Sequence, residues 1–186
     1  WKNPGDIGKS TEFTWTLPSG FTISKAQYPH PKRFSRDGFI TFGFEKSLTV
    51  LFQVSPPENL PLEENLQFSV KVDWFACKDE CVPGNSLLSL SLPLTEKNPV
   101  LNKAHNKIFS EAFYELPEKP WDIRAEQHGN QILLHLRPLN REIAPLEEVF
   151  FYPENSDLID YHTEQKLTLT RIGYILTLQL NSRPLK

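Results

Sequence analysis

The chain has only two cysteines, Cys77 and Cys81, which lie four positions apart in the stretch VDWFACKDECVPGN (Val72–Asn85). Such a pair can act as a structural staple, as part of a metal site or as a redox-active dithiol. As a staple it closes a very short loop, which contributes only about 2 kcal/mol in the chain-entropy model. A structural zinc site needs two further ligands and usually uses C-x₂-C pairs, whereas the five histidines here are scattered singly. The spacing therefore favours a redox pair.

The flanking residues predict how the pair is held. If VKVDWFA is a strand and the chain returns after Cys81, then Lys78–Glu80 forms a hairpin loop and the two cysteines face each other. Directly opposed residues can lie about 4.5 Å apart between Cα atoms, near the short end of disulfide geometry. No C-x-x-C at a helix N-terminus is present to acidify a thiol, so we expect a disulfide that another protein's thiolate attacks. A structural disulfide and a metal site stay open as alternatives.

Strand-like segments surround the pair on both sides. The alternation is clearest in LQFSVKVDWFA (Leu66–Ala76), where apolar and polar residues exchange with a period of two. This period puts Trp74 on one face with Val70 and Val72, so we expect Trp74 to pack in the core. Short strands separated by turn residues predict an all-β antiparallel sandwich. The other expected strands are TEFTWTL (Thr11–Leu17), FTISKAQY (Phe21–Tyr28), FITFGF (Phe39–Phe44), LTVLFQV (Leu48–Val54) and SLLSLSLPL (Ser86–Leu94).

One helix and further strands follow. Asn98 can cap a helix and Pro99 suits its first position, and apolar residues recur at helical spacing up to Phe113. The prolines of ELPEKP (Glu115–Pro120) end this helix. The later strands are expected at WDIRAEQ (Trp121–Gln127), QILLHLRP (Gln131–Pro138), EVFFYP (Glu148–Pro153), QKLTLT (Gln165–Thr170) and YILTLQL (Tyr174–Leu180). We predict two domains: residues 1–96, with the cysteine pair, and residues 97–186, with the helix and a second, smaller β domain. The alternative is a single extended domain.

Composition narrows the function classes. A net charge of −3 with 23% charged residues is typical of a globular protein and gives no reason to expect nucleic acid or an anionic membrane surface as a partner. No apolar run approaches the eighteen or so residues of a membrane span, so we expect no direct membrane insertion of this segment. The chain begins at Trp1 and contains no methionine, which is typical of a processed chain or an excised piece of one. No Ser-His-Asp order or phosphate loop points to a hydrolase or kinase.

The residues around the cysteines resemble a known family. The pattern W-x-x-C-K-x-x-C-x-P-G, from Trp74 to Gly84, is similar to the periplasmic N-terminal domain of the DsbD and ScsB membrane thiol–disulfide reductases. The opening WKNPGDIGKSTEFTWTLPSGF and the segment YPHPKRF (Tyr28–Phe34) look like the start of ScsB-type proteins. The DsbD branch spaces its cysteines more widely and carries tyrosines where this chain has Thr22 and Ser24, so the ScsB-like branch fits better.

The resemblance implies a fold, a location and site residues. It implies an immunoglobulin-like domain in the periplasm, belonging to an inner-membrane protein and using no cofactor or metal. Cys77 and Cys81 match the redox pair of the family. Arg33 and Phe34 are the nearest counterpart of a cap loop that shields the pair, although Phe34 could instead pack on the sandwich. The other candidates for contacting the cap or a partner are Trp74, Lys78 and Pro83.

The function that follows is thiol–disulfide exchange within a membrane protein-disulfide reductase. The resemblance implies that the transmembrane domain of the same protein donates electrons and that periplasmic thioredoxin-fold oxidoreductases accept them. It also links the chain to cytochrome c biogenesis. The alternative is a non-catalytic β-sandwich binding or chaperone-like module with a small structural disulfide. A third hypothesis is copper handling, since thiolates favour Cu(I) and ScsB-like proteins are associated with copper stress, but the absence of methionine argues against it.

Overall fold

The computed structural model describes residues 1–60, 65–78, 80–94, 102–117, 121–140, 146 and 148–181. Within these residues the protein is mostly β, with eleven strands and one helix, so the expected β class is confirmed. The elements in chain order are β1 (Glu12–Thr16), β2 (Thr22–Ile23), β3 (Lys32–Arg36), β4 (Phe39–Gly43), β5 (Val54–Ser55), β6 (Asn65–Cys77), β7 (Cys81–Pro93), α1 (Lys103–Tyr114), β8 (Trp121–His128), β9 (Gln131–Pro138), β10 (Lys166–Leu169) and β11 (Tyr174–Gln179).

The chain divides into two compact units. The first unit comprises Trp1, Ile7–Lys32 and Gly43–Pro117. The second comprises Lys2–Asp6, Arg33–Phe42 and Glu118–Lys186, so two segments from the first quarter of the chain belong with its C-terminal part. The boundary predicted between residues 96 and 97 lies outside the described residues and stays a prediction.

The first unit is built on an antiparallel sheet in the order β1-β6-β7. The period of two in β6 buries Leu66, Phe68 and Val70 on one face and leaves Gln67 and Lys71 exposed on the other. Burying apolar side chains on one face is the usual way such a sheet is stabilised. A short pair, β2 with β5, completes the strands of this unit. Aromatic rings add edge-to-face contacts, including Phe21 with Phe68 and Trp15 with Phe52.

The second unit contains a four-stranded sheet in the order β10-β11-β9-β8, with antiparallel pairing throughout. Its core consists of Leu136, Ile159, Leu176 and Leu178, of which the last three are almost completely buried. Asn3 is also buried there, and its side chain is satisfied because its amide donates to the Pro153 carbonyl and its oxygen accepts from the Gly5 N–H.

Several predicted elements need correction. EVFFYP (Glu148–Pro153) is not a strand, because the Gln165 side chain bonds both backbone groups of Phe151, at 2.7 and 2.9 Å, in the role a neighbouring strand would have. FTISKAQY contributes only the two-residue β2. LTVLFQV contributes only Val54 to the two-residue β5, which two prolines follow directly. No strand was predicted at β3, which begins within YPHPKRF.

The predicted helix is observed as α1. Asn102 is its N-cap, and the Asn102 side-chain oxygen accepts from the Ala104 N–H at 3.0 Å. Asn98 and Pro99 lie outside the described residues. The predicted end is confirmed, with Glu115 as the C-cap. None of the helices in the described ranges has both the length and the apolar character that crossing a membrane requires.

Candidate functional site: the disulfide hairpin

The two cysteines close the longest hairpin of the described structure. β6 and β7 pair at thirteen positions, from Asn65 with Pro93 to Cys77 with Cys81. The two cysteines form a disulfide, and their Cα atoms are 4.0 Å apart. The prediction that the hairpin brings the cysteines directly opposite each other is therefore confirmed, and the sequence period of β6 is what fixes this register.

The tip of the hairpin is open to solvent. Beyond the disulfide, the Lys78 N–H donates to the Glu80 carbonyl at 3.2 Å, which tightens the loop, while Asp79 lies outside the described residues. Cys77 is exposed and Cys81 is half-buried. The neighbouring Val82 is 59% exposed. A second protein can therefore approach the sulfur atoms without any rearrangement of the tip.

Trp74 supports the hairpin rather than the core. A Cβ atom added to Gly84, its cross-strand partner, would lie only 2.6 Å from the indole Cε2, so the ring lies directly against the glycine backbone. Trp74 is 36% exposed, and the expectation that it packs in the core is wrong. The reason is that burial fades along β6: Val70 is buried, Val72 is half-buried, and β1 pairing stops at Asp73.

A groove of about 350 Å³ lies beside the hairpin tip, in the first unit. We call it the tip groove, and its lining residues are Lys9, Ser10, Glu12, Lys71, Asp73, Trp74, Phe75, Pro83, Gly84 and Asn85. Lys9 pairs with Glu12 at 2.8 Å, and this hydrogen bond and the Glu12 charge raise the pKa of Lys9. Lys71 pairs with Asp73 at 3.0 Å. The charged side chains on the rim of the groove thus form ion pairs with one another.

The predicted site residues fall into two groups. Trp74, Lys78 and Pro83 lie on or at the end of the cysteine hairpin. Arg33 and Phe34 lie on β3 and belong to the second unit. There the Arg33 guanidinium stands 5.8 Å from the centre of the Phe150 ring, and Phe34 is half-buried. The cap role of these two residues stays a prediction.

Comparisons with known proteins agree with this geometry. A family model described as the N-terminal domain of the thiol:disulfide interchange protein DsbD matches residues 1–93, which is half of the chain and includes the whole cysteine hairpin. The chain belongs to this family. The fold of the chain is similar to the crystal structure of the N-terminal periplasmic domain of ScsB from Proteus mirabilis, with a TM-score of 0.58 at 20% identity over 96% of this chain and 67% of that one. No curated protein sequence matches the chain.

Membership in the DsbD N-terminal family gives the disulfide its chemical meaning, which is thiol–disulfide interchange at the level of the family. A disulfide reacts when a thiolate attacks one of its sulfurs, and the geometry meets the requirement for access from solvent. Among the residues that the structure describes, no three His, Cys, Asp or Glu side chains cluster so as to hold a metal ion. Sequence reasoning did not single out Phe75, which lines the tip groove, although the period of two already places it on the same face as Cys77.

Proposed function

We propose that the protein is a thiol–disulfide exchange module of a periplasmic protein-disulfide reductase. The observation that carries the proposal is the Cys77–Cys81 disulfide at the exposed tip of a long, rigid hairpin in a member of the DsbD N-terminal family. An immunoglobulin-like sandwich of the ScsB type would hold this hairpin. Its location in the periplasm is supported by the similarity to a periplasmic domain.

The exchange reaction moves two electrons through the pair. A thiolate of the donor bonds to one sulfur of the pair, the Cys77–Cys81 bond breaks, and the other cysteine leaves as a thiolate. A second donor thiolate then attacks the mixed disulfide, so the donor leaves oxidised and the module holds a dithiol. The reverse sequence reduces an acceptor disulfide. We assign the donor role to the transmembrane domain of the same protein and the acceptor role to periplasmic thioredoxin-fold oxidoreductases.

The other candidate residues have supporting roles in this proposal. Trp74, Lys78 and Pro83 contact the partner around the sulfur atoms, because they lie on or beside the cysteine hairpin. Arg33 and Phe34 act as the cap. No step requires a cofactor.

A redox titration tests the proposal. The intact chain is equilibrated in glutathione buffers of defined potential, and free thiols are counted by alkylation and mass spectrometry. The readout is unambiguous because the chain has no other cysteine. We expect half-reduction at a potential above about −300 mV, the range of exchangeable rather than structural disulfides. A bond that stays oxidised in every buffer and does not exchange with thioredoxin would refute the proposal.

A second candidate is a binding or chaperone-like module in which the disulfide is only structural. It is favoured by the exposed apolar side chains of α1, where Phe109 and Phe113 are each more than half exposed. In that case replacing both cysteines by serine would leave the activity of the protein intact and lower only its melting temperature.

A further inference from the structure

The disulfide shares one face of the hairpin with an apolar pair and with part of the lining of the tip groove. Side chains two positions apart on a strand, and residues paired across strands, lie on the same face. Phe75 is two positions from Cys77, Pro83 is two positions from Cys81, and Phe75 pairs with Pro83. The next position on this face is occupied by Asp73, which belongs to the tip groove together with Phe75 and Pro83.

The surface of this face is apolar next to the sulfur atoms, and further away its charged side chains are paired with one another. Phe75 is 39% exposed although it is a large apolar side chain, and Pro83 is also exposed. The charged residues of the rim already form two ion pairs, Lys9 with Glu12 and Lys71 with Asp73. A partner therefore gains little by bringing charge to the groove, whereas an apolar side chain over Phe75 and Pro83 removes exposed apolar surface from water.

We infer that the tip groove receives the chain segment that carries the partner's reactive cysteine, with an apolar residue beside that cysteine seated on Phe75 and Pro83. This inference rests on the proposed exchange function and adds a rule for partner selection to it. This occupant follows from continuity with the reacting bond. Phe75 and Pro83 occupy the position next to Cys77 and Cys81 on the same face, so residues that flank the partner's reacting cysteine on that side lie over them.

The chemical step is unchanged by this contact. The partner's thiolate forms a bond to one sulfur of the pair, the Cys77–Cys81 bond breaks, and the released cysteine carries the negative charge as a thiolate. Phe75 and Pro83 take no part in bond making. They raise the rate only by holding the attacking segment in place, so their effect is absent for a thiol too small to reach them.

The probes are two five-residue peptides with blocked ends, Ser-Leu-Cys-Leu-Ser and Ser-Ser-Cys-Ser-Ser, and reduced glutathione as the small thiol. The initial rate at which each forms a mixed disulfide with the oxidised protein is measured by mass spectrometry and divided by its rate with oxidised glutathione. We expect the leucine peptide to react about five- to tenfold faster than the serine peptide, the usual size of one good apolar interface contact.

Variants separate docking from folding. Phe75→Ser should abolish the preference for the leucine peptide, and Phe75→Leu should keep most of it. Leu87→Ser is the matched control, because Leu87 lies on the same face, is 73% exposed and does not line the groove, and this variant should keep the full preference. Glutathione should react equally with all four proteins.

The possible results of these rate measurements separate failure of the docking inference from failure of the proposed exchange function. Equal rates for the two peptides with the unaltered protein would overturn the inference while leaving exchange intact. A Phe75→Ser variant that slows glutathione as much as the leucine peptide would also overturn it, because that result reports a distorted hairpin. A disulfide that no thiol opens would instead refute the proposed function itself.

Discussion

The protein contains two long antiparallel hairpins that differ in what covers them. In the second unit, β8 and β9 are joined by Gly129–Asn130, and β9 pairs on its other side with β11. In the first unit, β6 and β7 end at the disulfide, and in the described part of the chain β7 has no second neighbour. Leu176, which faces β9 from β11, is 1% exposed, whereas Leu87 on β7 is 73% exposed. The covered hairpin is part of a buried core, and the uncovered one carries the disulfide at its tip.

Of the changes considered, removing the disulfide should have the largest effect, because it should abolish exchange, whereas a change at the end of the other hairpin should not. With both Cys77→Ser and Cys81→Ser in place, we expect exchange with thioredoxin to fall below detection, because no sulfur is left to attack. The free energy of unfolding should fall by no more than about 2 kcal/mol, since the closed loop is so short. Insulin-reduction assays coupled to thioredoxin and urea unfolding measure the two quantities. His128→Ser, at the end of the other hairpin, is the control and should leave exchange unchanged.

Truncating a leucine tests the covered hairpin. Leu176→Ala should lower the free energy of unfolding by about 2–5 kcal/mol, because it opens a cavity in a fully buried core. Leu87→Ala should change it by no more than about 0.5 kcal/mol, as for other exposed positions. Urea denaturation followed by circular dichroism measures both. If the two variants were equally destabilised, the contrast between the hairpins would be wrong.

Gly84 tests whether Trp74 is held by the hairpin backbone. Gly84→Ala should cost about 1–3 kcal/mol, because the new Cβ meets the indole at 2.6 Å. Adding Trp74→Ala should recover part of this loss, and a double-mutant cycle measures the recovery. In the other hairpin, Gly129→Ala should cost only about 1 kcal/mol, since there is open space around it and only the positive φ of 56° is unfavourable. No recovery in the cycle would contradict the contact.

The smallest expected effect is a pH dependence that belongs to the second unit. Burial alone would raise the pKa of Asp6, but hydrogen bonds from the Ile40 N–H, His162 and Tyr161 together lower it below its ordinary value of 3.8. A lowered folded-state pKa gives stability that is present above the ordinary pKa and is lost as the pH falls through the lowered value.

Comparing Asp6→Ala with the unaltered protein measures that contribution. The difference in unfolding free energy should be about 1 kcal/mol at about pH 6 and should shrink towards zero as the pH falls through the lowered pKa of Asp6. Asp6→Asn keeps a hydrogen-bond acceptor without the charge. At about pH 6 its free energy of unfolding should lie between those of Asp6→Ala and the unaltered protein. A difference that does not change with pH would mean that the carboxylate charge is irrelevant.

Local patterns in the sequence predicted the site better than they predicted its surroundings. The alternation of β6 and the two cysteines at the turn are enough to specify which residues pair, and the observed register agrees. The exposure of Trp74 could not be predicted, because it depends on where β1 stops pairing. The expected strand at Glu148–Pro153 failed for a similar reason, since its pattern is strand-like but its backbone bonds go to the Gln165 side chain.

The thirteen paired positions of the cysteine hairpin affect how a partner can distinguish its two redox states. Opening the disulfide breaks none of these backbone pairs, so we expect the oxidised and reduced hairpins to have nearly the same shape. If the pair exchanges as proposed, we expect little reorganisation of the hairpin to accompany each turnover. We therefore expect a partner to distinguish the oxidised from the reduced protein only by direct contact with the sulfur atoms at the tip.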